Sequence, residues 1–273
     1  MKTVNTLKRT DPGFVVTVPE DSLDVEAVNR SVTFRIREYQ VPHRVATHRH
    51  RRAQLLYASR GVMQVTTGAG IWVVPPYRAV WLPPETDHEV VSHGALALRN
   101  LYFEPACCSQ LPRECCVVTV SPLLRELILY AVQLPPDYDE SGADGRLMRV
   151  IIDQIRQLPV APLYLPLAEE PRLRMIMDAL QADPADQRSL EEWGARVGAS
   201  ARTLARLFQS QTGFTFGQWR QQVRLLAALD RLARGQSVTS VASDLGYEKQ
   251  SAFITMFKRA LGKTPGRFFT NES

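Results

Sequence analysis

Ser189-Leu190-Glu191-Glu192-Trp193-Gly194-Ala195-Arg196-Val197-Gly198-Ala199-Ser200 holds a helix start, a helix stop and a second helix start. Ser189 and Glu192 stand at capping-box spacing, Gly198 supplies a turn, and Ser200 caps a helix predicted over Ala201–Gln211. Leu204, Leu207 and Phe208 recur three and four apart, so they form one face that packs back on the first helix, with small Ala195 expected at the crossing. The pattern returns about 49 residues later. Ala195-x-x-Gly198 with Leu204, Leu207, Phe208 and Gly213 is answered by Ala242-x-x-x-Gly246 with Phe253, Met256, Phe257 and Gly262. Ser237–Gly246 and Glu248–Leu261 are the predicted helices of this second copy. Short helices joined by a tight turn, twice over, outline two helix-turn-helix motifs.

Between the copies, Thr215–Ala233 reads as one helix with Trp219, Val223, Leu226, Leu229, Leu232 and Ala233 on its buried side. A rod of about 19 residues at ~1.5 Å each spans ~28 Å, enough to hold two recognition helices near the ~34 Å that separates successive major-groove faces. Charge agrees with that use. From Ser189 onward there are 12 Lys/Arg against 6 Asp/Glu, whereas the preceding 188 residues carry 21 against 22. The positive excess is concentrated where phosphates would lie.

These residues resemble the AraC/XylS family of bacterial transcription regulators. The matching string is Ser200-x-Arg202-Thr203-Leu204-x-Arg206-Leu207-Phe208, Gly213-Phe214-Thr215-Phe216-x-x-Trp219-Arg220, Arg224-Leu225, Ala228 and Leu232. It continues through Val241-Ala242-x-x-x-Gly246-Tyr247, Ser251-x-Phe253-x-x-x-Phe257-Lys258-Arg259 and Gly262-Lys263-Thr264-Pro265. The resemblance covers roughly the last hundred residues and implies sequence-specific binding of double-stranded promoter DNA. It places Arg202, Ala205 and Arg206 of the first recognition helix, and Gln250, Ser251, Ala252, Ile254 and Thr255 of the second, toward the groove, with Lys258 and Arg259 holding phosphates. Arg addresses guanine and Gln adenine, while Ala205, Ala252 and Ile254 offer only apolar contact. More of the base reading is therefore expected of the first helix. The sequence departs from the family at Lys249, where a capping Ser is usual, and at Phe268-Phe269, where the family has Tyr-Arg. A cation at Lys249 opposes the helix dipole but reaches a phosphate.

A length of 273 residues that is 45% apolar suffices for two cores. Met1–Gly13 lacks the apolar stretch of a secretory signal, and no run approaches the ~18 residues of a membrane span. A soluble cytoplasmic protein without membrane partners is expected. Cys107, Cys108, Cys115 and Cys116 lack zinc-ligand spacing and read as reduced, buried fillers, the last two leading into an apolar strand at Val117, Val118 and Val120.

The front half is β-rich. Predicted strands are Val32–Tyr39, Ala53–Ser59, Gly61–Thr67, Gly70–Val74, Ala79–Leu82, Glu89–His93 and Ala95–Phe103, a spacing suited to a small barrel or jelly roll. His48-x-His50-x-x-x-Gln54, Gly61 and Pro83-x-Glu85-x-x-His88 resemble the two cupin motifs, with Gln54 where Glu is usual and Glu85 where Gly is usual. In cupins this set converges on one cation, so His48, His50, Gln54 and His88 are a candidate site for a divalent transition metal. The competing reading makes them walls of an organic-effector pocket, together with Tyr57, Trp72, Trp81 and Tyr102 as pocket or core aromatics. A third reading leaves Thr47-His48-Arg49-His50-Arg51-Arg52 as an exposed strand edge.

Ser121–Val132 is a Pro-started amphipathic helix, and Arg146–Leu158 a second with Leu147, Val150, Ile151, Ile155 and Leu158 on one side. By the resemblance such helices dimerise or dock on the DNA-binding half; the alternative is that they cap the barrel. Pro159–Leu167 is a Pro-rich extended linker, and Pro171 opens a helix with Leu173, Ile176, Met177 and Leu180 buried. The fold expected is α+β: an N-terminal cupin-like β-barrel in residues 1–120, a helical dimerisation and linker region in 121–166, and an all-α domain with two helix-turn-helix motifs in 167–273. The function expected is transcription regulation in response to a small-molecule effector, by a homodimer that as an activator contacts RNA polymerase. A metal-dependent cupin enzyme fused to a DNA-binding domain, and a front domain that only dimerises, are the alternatives.

Overall fold

The computed structural model describes residues 15–17 and 22–268. They form two compact units, one taking in the chain up to Gly68 with Trp72–Pro162, the other Ala69–Ile71 with everything from Leu163. Met1–Gly13 and Phe269 lie outside the described residues.

The first unit is built from β1 (Val15–Thr17), α1 (Ser22–Ala27), β2 (Val32–Tyr39), β3 (His43–His48), β4 (Ala53–Arg60) and β5 (Met63–Thr67). There follow β6 (Gly70–Val74), β7 (Arg78–Leu82), β8 (His88–Ser92), β9 (Leu96–Phe103), a 3-10 turn at Pro105–Cys107 and β10 (Cys116–Thr119). α2 (Pro122–Ala131), α3 (Ala143–Arg156) and β11 (Val160–Ala161) complete it. One sheet orders its strands β1-β3-β8-β5-β6 and the other β11-β10-β7-β4-β9-β2. Successive side chains alternate between faces, and directly paired residues share one. Leu55, Tyr57, Trp81, Leu101 and Phe103 therefore meet Leu124 and Ile128 of α2 and Met148, Ile151 and Ile155 of α3 in one core. Gln54, Leu56, Val80, Leu98 and Tyr102 stand on the opposite, inward face.

Most predicted strands fall within a residue or two of those observed, with three differences. Of the three readings of the stretch around His48, the exposed strand edge is excluded, because β3 lies inside its sheet, between β1 and β8. His48 packs against buried His50 and His88, and a hydropathy pattern cannot distinguish that from exposure. α3 begins three residues before the expected Arg146, because Gly142 and Asp144 open the helix. The Pro-rich linker is not free chain: Val160 and Ala161 pair antiparallel with Val118 and Val117.

The second unit contains β12 (Tyr164–Pro166), α4 (Pro171–Ala182), α5 (Leu190–Val197), α6 (Ala201–Thr212), α7 (Phe216–Ala233), α8 (Val238–Asp244), α9 (Gln250–Leu261) and α10 (Pro265–Phe268). α7 carries a complete capping box between Thr215 and Gln218, and its Trp219 indole donates to the Pro166 carbonyl at 2.9 Å. Phe208 of α6 packs on Phe216 and Trp219, and Phe257 of α9 on Phe253 and Phe268. The buried stripe of α7 ends earlier than expected: Leu225 and Ala228 are buried, whereas Leu232 is half-buried and Ala233 exposed. The pairing of small residues is also corrected. Ala195 is exposed, and buried Gly194 makes the close approach, since a Cβ there would lie 2.4 Å from the Ala199 carbonyl oxygen. The equivalent of Gly194 is then Ala242, four residues before its turn glycine as Gly194 is before Gly198.

Candidate functional site

Two exposed helical faces carry the DNA-binding candidates. Arg202, Ala205 and Arg206 are exposed on α6, whose N-terminus is held by Ser200 accepting from the Thr203 amide at 3.1 Å. On α9, Gln250, Ser251, Ala252, Thr255, Lys258 and Arg259 are exposed and Ile254 is half-buried. Lys249 occupies the N-cap and makes no side-chain capping bond, so the first amides of α9 stay open to an acceptor. α9 starts at Gln250, two residues later than expected, because the turn before it runs on through Tyr247 and Glu248. Thr239 of α8 donates to the Gln250 amide oxygen at 3.2 Å, which steadies that side chain.

Between α7 and α9 runs a groove of about 620 Å³ lined by Arg220, Arg224, Tyr247, Ser251, Thr255 and Arg259. Two of these arginines are framework. Arg224 donates to the Pro184 and Asp186 carbonyls at 2.8 and 3.2 Å and lies 5.5 Å over the Tyr247 ring, and Arg220 donates to the Arg188 carbonyl at 3.0 Å. Their place beside the recognition face was missed, because in sequence they read only as the polar side of a buried rod.

The second candidate lies in the first unit. His48 at the end of β3, His50 in the turn that follows and His88 at the start of β8 bring ring nitrogens within 4.8 Å of one another. Each Nδ1 faces a carbonyl: His48 that of Ala46 at 3.0 Å, His50 that of Arg52 at 2.6 Å, His88 that of Thr86 at 2.9 Å. A carbonyl only accepts, so each Nδ1 in these bonds carries a proton, which leaves the Nε2 of His88 with its lone pair. The His88 Nε2 is buried with no hydrogen-bond partner. Gln54 presents Oε1 to the His50 Nε2 at 3.0 Å, and Tyr102 sets its ring edge-on to His50 with centroids 5.2 Å apart.

The loop carrying His50 is stiffly held. Arg52, fully buried, donates to the Val28 and Arg30 carbonyls at 2.7 and 2.8 Å and pairs with Glu104 at 2.6 Å. The Glu85 amide donates to the His50 carbonyl at 3.0 Å, and Glu85 has φ 58. That left-handed backbone is the reason a glycine suits this position. Burial and the neighbouring imidazoles push His88 down to about 3, and burial lowers His48, so both rings are neutral ligands at physiological pH. Donor chemistry, anchored tautomers and an orphaned lone pair all fit a divalent transition cation, which His48, His50, His88 and Gln54 would hold.

The aromatics divide. Tyr102 faces the histidines, but Tyr57 and Trp81 alternate with Gln54 and Leu82 and pack on the helix-side core, which corrects their placement in a shared pocket. The Trp81 indole donates to the Pro112 carbonyl at 2.8 Å, and Trp72 is buried on β6. All four cysteines are free, and burial raises the Cys108 and Cys116 thiols to about 11, so they stay protonated.

Comparison with known proteins bears on both sites. A helix-turn-helix domain family matches residues 193–271, and an AraC-like ligand binding domain family matches 32–161. The HTH-type transcriptional regulator NimR of Escherichia coli is 38% identical over 221 residues, covering 81% of this chain and 81% of that protein. The HTH-type transcriptional regulator RipA of Corynebacterium glutamicum is 38% identical over 126 residues, 46% of this chain and 36% of that one. The solved structure of ToxT from Vibrio cholerae aligns over 87% of this chain and 96% of its own, at 9% identity and a TM-score of 0.37.

Proposed function

We propose, from the premise that this chain belongs to the AraC family of transcriptional regulators, that it is a cytoplasmic, non-enzymatic regulator reading promoter DNA with α6 and α9 together. Arg202, Ala205 and Arg206 face base edges from α6, and Gln250, Ser251, Ala252, Ile254 and Thr255 from α9. Lys249, Lys258 and Arg259 hold phosphates. Residues 167–273 do the binding and residues 1–120 the sensing. Residues 121–166 contribute to a homodimer, for which Leu123, Tyr130 and Val150 offer exposed apolar contacts on α2 and α3. As an activator the dimer contacts RNA polymerase. No helix of the described residues is long and apolar enough to cross a membrane.

The observation that carries this reading is the repetition of one exposed face on two helices joined by a single continuous rod. Sensing is assigned to the inward pole of the first unit, at His48, His50, Gln54, His88 and Tyr102. Selection of duplexes from a random pool by the full chain tests the DNA reading: a two-part motif is expected, with affinity falling steeply as salt rises. Recovery of no motif, or binding indifferent to salt, would sink it.

A further inference from the structure

α7 sets the distance between the two helix-turn-helix motifs, but a rod does not set the angle of what hangs from its end. α8 packs on α7 across a turn that contains Gly235 at φ 83, a left-handed backbone that glycine adopts without strain. A second hold on that motif comes from far back in the chain, in the loop of residues 183–188 between α4 and α5. The Gln187 side-chain amide donates to the Gly246 carbonyl at 2.7 Å. Arg224 of α7 donates to two carbonyls of the same loop, Pro184 at 2.8 Å and Asp186 at 3.2 Å, and its guanidinium lies 5.5 Å over the Tyr247 ring. Tyr247 in turn packs on Phe253 of α9, with ring centroids 5.6 Å apart.

The loop is stiff enough to anchor these contacts. Buried Asp186 accepts from the Arg188 amide at 2.8 Å and pairs with the Arg188 guanidinium at 2.9 Å, and Asp183 accepts from the Ala185 amide at 3.1 Å. Arg188 lies 4.5 Å over the ring of Trp193 in α5, so the loop is fastened to the first motif as well. First motif, rod and second turn therefore meet on one segment that carries none of the residues assigned to bases or phosphates. Contacts to base edges are directional and fail once a side chain is displaced by about 1 Å or roughly 10–20°, whereas attraction to phosphates tolerates such shifts.

We propose that Gln187 and Arg224 are positioning residues that hold the second recognition helix at one angle to the first, and that this brace decides how selectively α9 reads DNA. The inference rests on the regulator reading and adds to it a specificity determinant outside the recognition helices.

The test uses the full chain and duplexes selected from a random pool. The half of the selected motif that Arg206→Ala leaves intact belongs to α9. Arg224→Lys keeps the positive charge but cannot fork between two carbonyls. It should lower discrimination in the α9 half about tenfold while the α6 half, the salt slope and non-specific affinity stay as in the parent. Gln187→Ala removes an exposed bond and leaves the fold in place, and it should give the same pattern at about threefold. Ile176→Val, which only trims a buried side chain of α4, should lower the melting temperature and leave both halves of the motif alone. Amide exchange without DNA reads the brace independently. In both brace variants it should quicken in the Gly246 turn and α9, while α5 and α6 stay as protected as in the parent. An unchanged α9 half in both variants, a loss shared evenly by the two halves, or exchange that quickens equally in α6 and α9 overturns the brace. A parent chain that selects no motif overturns the regulator reading instead, and the exchange result then decides the brace.

Discussion

The two helix-turn-helix copies share a core and differ at the surface. Gly194, Gly198, Leu204, Phe208 and Gly213 correspond to Ala242, Gly246, Phe253, Phe257 and Gly262, but the offset is 48 residues before the turn and 49 after it. One extra residue lengthens the second turn. α6 begins on a capping serine and presents Arg202 and Arg206 where α9 begins on uncapped Lys249 and presents Ser251 and Thr255. Further along, α6 has Gln209 and Ser210 where α9 has Lys258 and Arg259. The shared scaffold thus carries two chemistries. On the proposed reading, the first helix has its cations at the reading end, and the second has them where phosphates are held.

The deepest difference is in the turns. Gly246 has φ 75, and a Cβ there would meet the Ala185 carbonyl oxygen and the Gln187 amide nitrogen at 2.8 Å, whereas Gly198, at φ 69, has open space. Gly246→Ala should cost about 2–4 kcal/mol of stability, and Gly198→Ala about 1 kcal/mol. Denaturant unfolding followed by circular dichroism measures both, and equal costs would break the claim that the second turn is the more tightly enclosed.

At the surface, Arg206→Ala should lose about 1–3 kcal/mol of specific binding and relax preference at one base pair, while Thr255→Ala should lose less than about 1 kcal/mol. Selection from random duplexes resolves the two; an unchanged motif for Arg206→Ala would remove it from the reading set. Lys258→Ala and Arg259→Ala should weaken all sequences alike, each lowering the salt slope of log affinity by about 0.9. A sequence-dependent loss at either would reverse the division of labour between the helices. Lys249→Ser is the finest probe. Supplying the missing cap should add about 0.5–1 kcal/mol of stability while removing one phosphate contact, and a variant less stable than the parent would show that Lys249 already satisfies the helix end.

The helical unit was more legible in sequence than the sandwich, for a physical reason. Caps, turn glycines and apolar stripes are local, so Ser189 with Glu192, Thr215 and the stripe of α4 are found where the residue pattern puts them. The small-residue pairing slipped by one position because composition treats Gly194 and Ala195 alike, and only the Ala199 carbonyl tells them apart. In the sandwich, alternation does not say which face is inward. Tyr57 and Trp81 looked as suited to a pocket as Tyr102, yet cross-strand register with Gln54 decides the matter. The histidine set was visible through its resemblance to the cupin motifs. The carbonyls of Ala46, Arg52 and Thr86 that fix each ring belong to the backbone and leave no mark in the residue pattern.

α7, capped at Thr215 and unbroken to Ala233, has a consequence for the DNA rather than for the protein. A helix of that kind does not stretch, so two promoter words read by α6 and α9 in the way proposed have a fixed phase. One inserted base pair moves the second word by about 3.4 Å and turns it by about 35° around the duplex axis. Letters in either word can drift one at a time, each costing a share of affinity. The spacing between the words cannot drift, because a single insertion presents the wrong side of the groove to the whole of α9 at once.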